Sequence, residues 1–244
     1  MTHVINRRSF LASAAGALAA SSIPSAFAEA PAILDHILLA CSDLDAGIAF
    51  VQRRTGIPAL FGGVHPGRGT RNALLSLGEP SREEPNPRRY LEIIAPDPAQ
   101  PGIADRYGLQ QLTQPRLIGW AAHPGDLSEF ATRLRALGLA FDGPTLGSRK
   151  RPDGQLLQWS TLNLHDDLGG LLPFFIEWSR DTTHPSVDAP RGCHLESFEL
   201  RTPDPEGLAK TANQLGLGVP VAKAEKPQLS ALIRCAAKQL RLTS

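Results

Sequence analysis

"AILDHILLACSDLDAGIAFVQRRTGI", residues 32–57, changes its period partway along. It starts as an apolar run of strand length, and after Ser42-Asp43 the apolar residues Leu44, Ile48 and Val51 recur at helical spacing until Gly56 stops the pattern. The stretch therefore reads as strand, turn, helix. Downstream, "TRNALLSLG" (70–78) and "YLEIIAP" (90–96) add two strand-like runs on either side of a Pro- and Arg-rich connector at 79–89, giving the order β, α and two or three strands.

The same order returns. "RLIGWAAHPGDLSEFATRLRALGL" (116–139) repeats strand, Gly-Asp turn and a helix with Leu127, Phe130, Leu134 and Leu137 on one face, and "QLLQWSTLNL" and "LPFFIEW" follow as strands. Aligning Asp43-Leu44 with Asp126-Leu127 defines two modules, about 33–97 and 116–180, within a domain spanning 33–190. A partial third βα unit occupies 193–244, where "CHLESFELRTPDPEGLAKTANQLGLG" is again strand, turn and helix and "ALIRCAA" is a last strand. The expected fold class is α+β, built from paired βαβββ modules.

The N-terminus belongs to a different category. "NRRSFLASAAGALAASSIPSAFA" carries a twin arginine, a short Ala-rich apolar run and a small-residue exit, the pattern of an export signal over 1–28 cleaved after about Ala28. Its apolar part is too short for a permanent membrane span. The expected location is the periplasm. Without Arg7 and Arg8, the 25 Lys and Arg fall to 23 against 24 Asp and Glu, a balance that points to no nucleic-acid partner. Cys41, Cys193 and Cys235 have no metal spacing; one pair could bridge in an oxidising compartment, or all three could be separate buried thiols.

His36 and Glu92 each stand in an otherwise apolar run. On a buried face they need partners, and a shared divalent metal would satisfy both; alternation could equally turn them to the outer face, where water solvates them. "FGGVHPGRGTRN" (61–72) combines Gly freedom with His65, Thr70 and Asn72. These are a base near neutral pH, a hydroxyl and an amide, suited to a small oxygenated ligand over a cavity mouth, or else a glycine turn bonded only to backbone. Arg149, Lys150 and Arg151 precede an Asp-Gly turn and form either an anion clamp or a solvated hairpin tip. Trp120 and Trp178 are core residues or cavity-rim platforms. His165, Asp166 and Asp167 fall in a Gly-rich loop, and His194 and Glu196 share a strand face without a recognisable partner. No nucleophile elbow, phosphate loop or dinucleotide fingerprint is present.

Taken together, "LDHILLACSDL", "GGVHPGRGTRN", "YLEIIAP", "IEWSRDTTHPS" and the module repeat resemble the glyoxalase-like domains of the vicinal oxygen chelate superfamily. The resemblance covers about 33–190 and implies cupped mixed sheets around a divalent metal (Zn, Mn or Fe), with ligands from the first and last strands of each module. It assigns His36, Glu92 and Glu177 to the metal, with His65 able to complete the set. In such a cup His65 and Glu177 are the expected proton-moving groups, and Thr70, Asn72, Arg149 and Trp178 are the expected substrate contacts. Gly119 stands where the second module should offer its own histidine, a departure from the four-ligand pattern. The resemblance thus implies an exported metal-dependent lyase, isomerase or dioxygenase, or a metal-free binding protein of the bleomycin-resistance type, with modules paired within one chain or in a homodimer.

Overall fold

The computed structural model describes residues 30–78, 88–101, 103, 105 and 107–244; the export-signal reading and most of the 79–89 connector lie outside them. The first module runs β1 (Leu34–Ala40), α1 (Leu44–Thr55), β2 (Leu60–His65), β3 (Thr70–Ser76) and β4 (Tyr90–Pro96). The second repeats it as β5 (Arg116–Ala122), α2 (Leu127–Ala136), β6 (Phe141–Lys150), β7 (Leu156–Leu164) and β8 (Phe174–Trp178), followed by the short helix α3 (Pro185–Asp188). Local chemistry sets the helix ends. The Asp43 carboxylate accepts from Ala46 N at 2.8 Å, that of Asp126 accepts from Ser128 N and Glu129 N, and Gly56 closes α1 in the left-handed region at φ 83°.

All eight strands of the two modules join one curled mixed sheet in the order β2-β3-β4-β1-β5-β8-β7-β6. β1 lies parallel to β4, β5 parallel to β8, and β1 meets β5 antiparallel at the centre, so the modules are joined strand to strand. Alternation divides the side chains between two faces. Ile37, Leu39, Leu91, Ile93 and Phe175 pack into the main core with Val51 of α1 and Phe130 of α2. His36, Leu38, Tyr90, Glu92, Phe174, Ile176 and Trp178 face the hollow of the sheet instead. Both faces of β1 are therefore covered, and all seven of its residues are buried. This rules out a water-solvated outer face for His36 and Glu92.

The C-terminal region goes beyond a strand–helix pair. β9 (His194–Thr202), α4 (Pro205–Leu215), β10 (Val221–Lys223), β11 (Gln228–Cys235) and β12 (Lys238–Thr243) form a second sheet in the order β10-β9-β11-β12. It packs on the helix side, where Phe198 meets Trp120 edge-on at 5.1 Å between ring centroids, making Trp120 a core residue. Cys193 and Cys235 are bridged, and Cys41 is the buried free thiol. Burial pushes the Cys41 thiol up to about 11. Among the described residues no helix is long and apolar enough to cross a membrane.

Candidate functional site

Between the two halves of the curled sheet lies a cavity of about 120 Å³. One water needs roughly 10–15 Å³ on this measure, so the space suits a small organic molecule. The first module supplies its polar wall. The segment 61–72 is a β-hairpin rather than a loop over the mouth, with β2 and β3 paired and its turn after His65. That pairing aims His65, Thr70 and Asn72 inward from the strands. Gly62 is required here. A Cβ at that position would lie 2.5 Å from Asn72 Oδ1, so only glycine lets the Asn72 side chain lie across the bulge between Phe61 and Gly63.

The buried Glu92 carboxylate organises this wall. Asn72 Nδ2 donates to its Oε1 at 2.7 Å; His65 Nε2 stands 3.6 Å from Oε1, and His36 Nε2 stands 3.4 Å from Oε2. Burial alone would raise the Glu92 pKa, but His36, His65, the Asn72 hydrogen bond and Arg149 together hold it below the ordinary value. Burial also lowers the His65 pKa, only partly opposed by Glu92, which favours a neutral imidazole.

Behind His36 lies a relay of partners. Its Nδ1 is 2.6 Å from Asp35 Oδ1, while Trp178 Nε1 donates to Asp35 Oδ2 at 3.0 Å and His184 Nε2 stands 3.1 Å from the same oxygen. His184 Nδ1 meets Ser186 Oγ at 2.8 Å. Burial would raise the Asp35 pKa, yet the hydrogen bonds with His184 and His36 pull it far below the carboxylate range. An ionised Asp35 holds a proton on His36 Nδ1 and turns Nε2 toward Glu92. Tyr90 stacks on the same imidazole, with ring centroids 4.5 Å apart. In His65, Nε2 stands 3.3 Å from the Asn72 amide nitrogen and Nδ1 stands 2.8 Å from Thr70 Oγ1.

At 3.4 Å, either a proton on Nε2 or a shared cation joins the His36 ring to the Glu92 carboxylate. Ligands sharing a tetrahedral ion at about 2.1 Å stand about 3.4 Å apart, so the His36–Glu92 separation and the donor chemistry fit a divalent metal. Among the described residues, no group of three or more His, Cys, Asp or Glu side chains is placed to hold a metal ion; His65 stands next to the pair, with Nε2 3.6 Å from Glu92 Oε1.

The remaining expected residues separate. Glu177 does not reach the cup: its Oε2 accepts from Leu127 N at 2.9 Å and so caps α2 on the opposite face of the sheet. Phe174 and Ile176 take the inward positions of β8, and a one-residue step along a strand reverses the side of every group. Gly119 offers no ligand either and borders a neighbouring cavity. Trp178 lines the cup, and Arg149 is 4% exposed at the end of β6 rather than at a solvated tip. Arg151 pairs outside with Asp188 and Asp153. His165 pairs with Asp142 at the surface, and Glu196 pairs with Arg234 on the outer sheet. Sequence reasoning missed Asp35 and His184; the triplet Asp35-His36-Ile37 at a strand start was the available signal for the first, and nothing local marked the second.

A family model of the glyoxalase-like domain matches residues 34–216. The chain belongs to this family. A search of curated proteins finds no match for this glyoxalase-like protein. Among solved structures, a hypothetical protein from Staphylococcus aureus is 14% identical, with 86% of this chain and 84% of that chain covered and a TM-score of 0.57. Methylmalonyl-CoA epimerase from Mycobacterium tuberculosis is 21% identical over 62% of this chain and 89% of that one, with a TM-score of 0.39. A Streptomyces coelicolor methylmalonyl-CoA epimerase in complex with 2-nitronate-propionyl-CoA is 20% identical over 62% and 96%, with a TM-score of 0.42. At 14% identity the staphylococcal likeness speaks for the fold alone.

Proposed function

We propose that this glyoxalase-like protein is an exported enzyme that binds a small oxygenated molecule in the cup and acts on it with a divalent metal held by His36, Glu92 and His65. The observation that carries the reading is His36 Nε2 set 3.4 Å from a Glu92 oxygen, with Asp35 occupying the other ring nitrogen. When bound, Zn, Mn or Fe supplies Lewis acidity that polarises a substrate oxygen. The chain's own residues do the rest. Asp35, Trp178 and His184 orient His36; Asn72 holds Glu92; Thr70 fixes the His65 ring; and the apolar second-module wall excludes water. The reaction class is an isomerisation, a lyase step or a dioxygenation, since one fold hosts all three. The Cys193–Cys235 bridge supports an oxidising compartment and thus the periplasm.

Elemental analysis of anaerobically purified protein tests the reading. Stoichiometric metal that disappears in His36→Ala is the expected result. A folded protein that carries no metal and takes none up would overturn it and leave a metal-free carrier. The outward direction of Glu177 and the ligand-free Gly119 favour that second reading, because the second module then contributes no ligand.

A further inference from the structure

Arg149 is the charged side chain that the metal reading does not use. It is 96% buried, given its 4% exposure, and lies on the wall of the cup. A guanidinium carries five N–H donors. Here Nη1 donates to the Gly62 carbonyl across the seam between β6 and β2, and among the described residues no carboxylate comes within ion-pair distance of it. Glu92 shares the cavity, but Asn72, His65 and His36 surround its oxygens. Arg149 feels the Glu92 charge only from beyond ion-pair range, so its remaining donors are left to take an anion from outside the protein.

The charge of the whole cup agrees. Asp35 and Glu92 are balanced by Arg149 and by Arg68, which also lines the cavity. A divalent ion added to that balance leaves an excess of two positive charges. Opposite the polar wall stand Trp159 and Trp178, with ring centroids 5.6 Å apart, together with Phe174 and Ile176. That surface suits a flat, apolar body.

We propose that the ligand of the cup is an organic carboxylate whose anionic head is bound by Arg149 and whose planar apolar body lies along Trp159, Phe174 and Trp178. This rests on the reading of the cup as the ligand site, and it names the class of molecule that enters. The planar fork of the guanidinium matches a carboxylate in two-point contact.

The test titrates the full chain with benzoylformate, with its neutral amide benzoylformamide, and with inorganic phosphate, following tryptophan fluorescence and calorimetric heat, with metal content measured on the same samples. The expected result is at least a tenfold preference for the acid over the amide. Arg149→Met should abolish that preference with metal content unchanged, and Arg149→Lys, which retains the charge if the methionine variant does not fold, should reduce it. Equal affinity for acid and amide in the wild type overturns the carboxylate assignment while leaving the cup as a ligand site. Phosphate binding without preference among the organic probes also overturns it. No response to any probe overturns the assignment and the cup reading together. Wild-type protein that holds no metal yet keeps the acid preference overturns only the metal reading, and an acid preference that persists in Arg149→Met overturns the role of Arg149.

Discussion

The two modules share element order, capping chemistry and central strands, yet they line opposite walls of one cavity with different chemistry. The first presents His36, His65, Thr70, Asn72 and Glu92; the second presents Arg149, Trp159, Thr161, Asn163, Phe174, Ile176 and Trp178. The difference does not come from a lack of ionisable residues in the second module, since Glu177 sits in β8 much as Glu92 sits in β4. It comes from parity. Glu92 falls on an inward position and Glu177 on an outward one, so the first carboxylate organises a site and the second caps a helix. A repeated fold thus yields one wall rich in ionisable groups and one rich in aromatic rings.

That contrast can be attacked from either side. Glu92→Leu gives the first wall the character of the second; metal affinity should fall by more than about a hundredfold, since removing a ligand exceeds the loss typical of removing its support. Retained metal would break the distinction between the walls. Cys193→Ser with Cys235→Ser damages only the outer unit. It should cost about 2–4 kcal/mol in urea denaturation and leave metal content and ligand binding in the cup unchanged, which holds if the site belongs to the inner sheet.

His184→Gln removes a second-module support from a first-module ligand. Metal affinity, measured by chelator competition, should drop by about 10–100-fold with the fold intact by circular dichroism. An unchanged affinity would mean that Trp178 alone suffices to hold Asp35. The smallest effect is expected from Glu177→Ala, a loss of about 1 kcal/mol in thermal unfolding from the uncapped α2 with metal content unchanged. Metal loss in that variant would return Glu177 to the site.

The repeat was legible because each module announces itself locally. Asp43 and Asp126, read as turn residues ahead of the helices, cap those helices in the structure, and "YLEIIAP" is β4 residue for residue. β6 escaped notice because "FDGPTLGSRK" has glycine, proline and aspartate where strands favour branched and aromatic residues, and most of it is exposed. The site was legible in part. His36, His65, Thr70, Asn72 and Glu92 converge as their apolar or glycine-rich surroundings suggested. Glu177 was assigned by alignment to Glu92, and an offset of one residue along a strand is invisible without register. The His184 contact joins residues 149 apart in the chain, which no local pattern could show.

The Arg149–Gly62 bond has a consequence beyond recognition. It lies where the last strand of the curled sheet returns to the first, and a Cβ on Gly63 would stand only 2.7 Å from the Lys150 carbonyl, so the two borders run almost in contact there. Unpaired strand borders are where one chain recruits another into aggregates. By folding its two outermost strands against each other around a guanidinium, the molecule hides part of both from its neighbours, and conditions that loosen that clasp should show first as self-association.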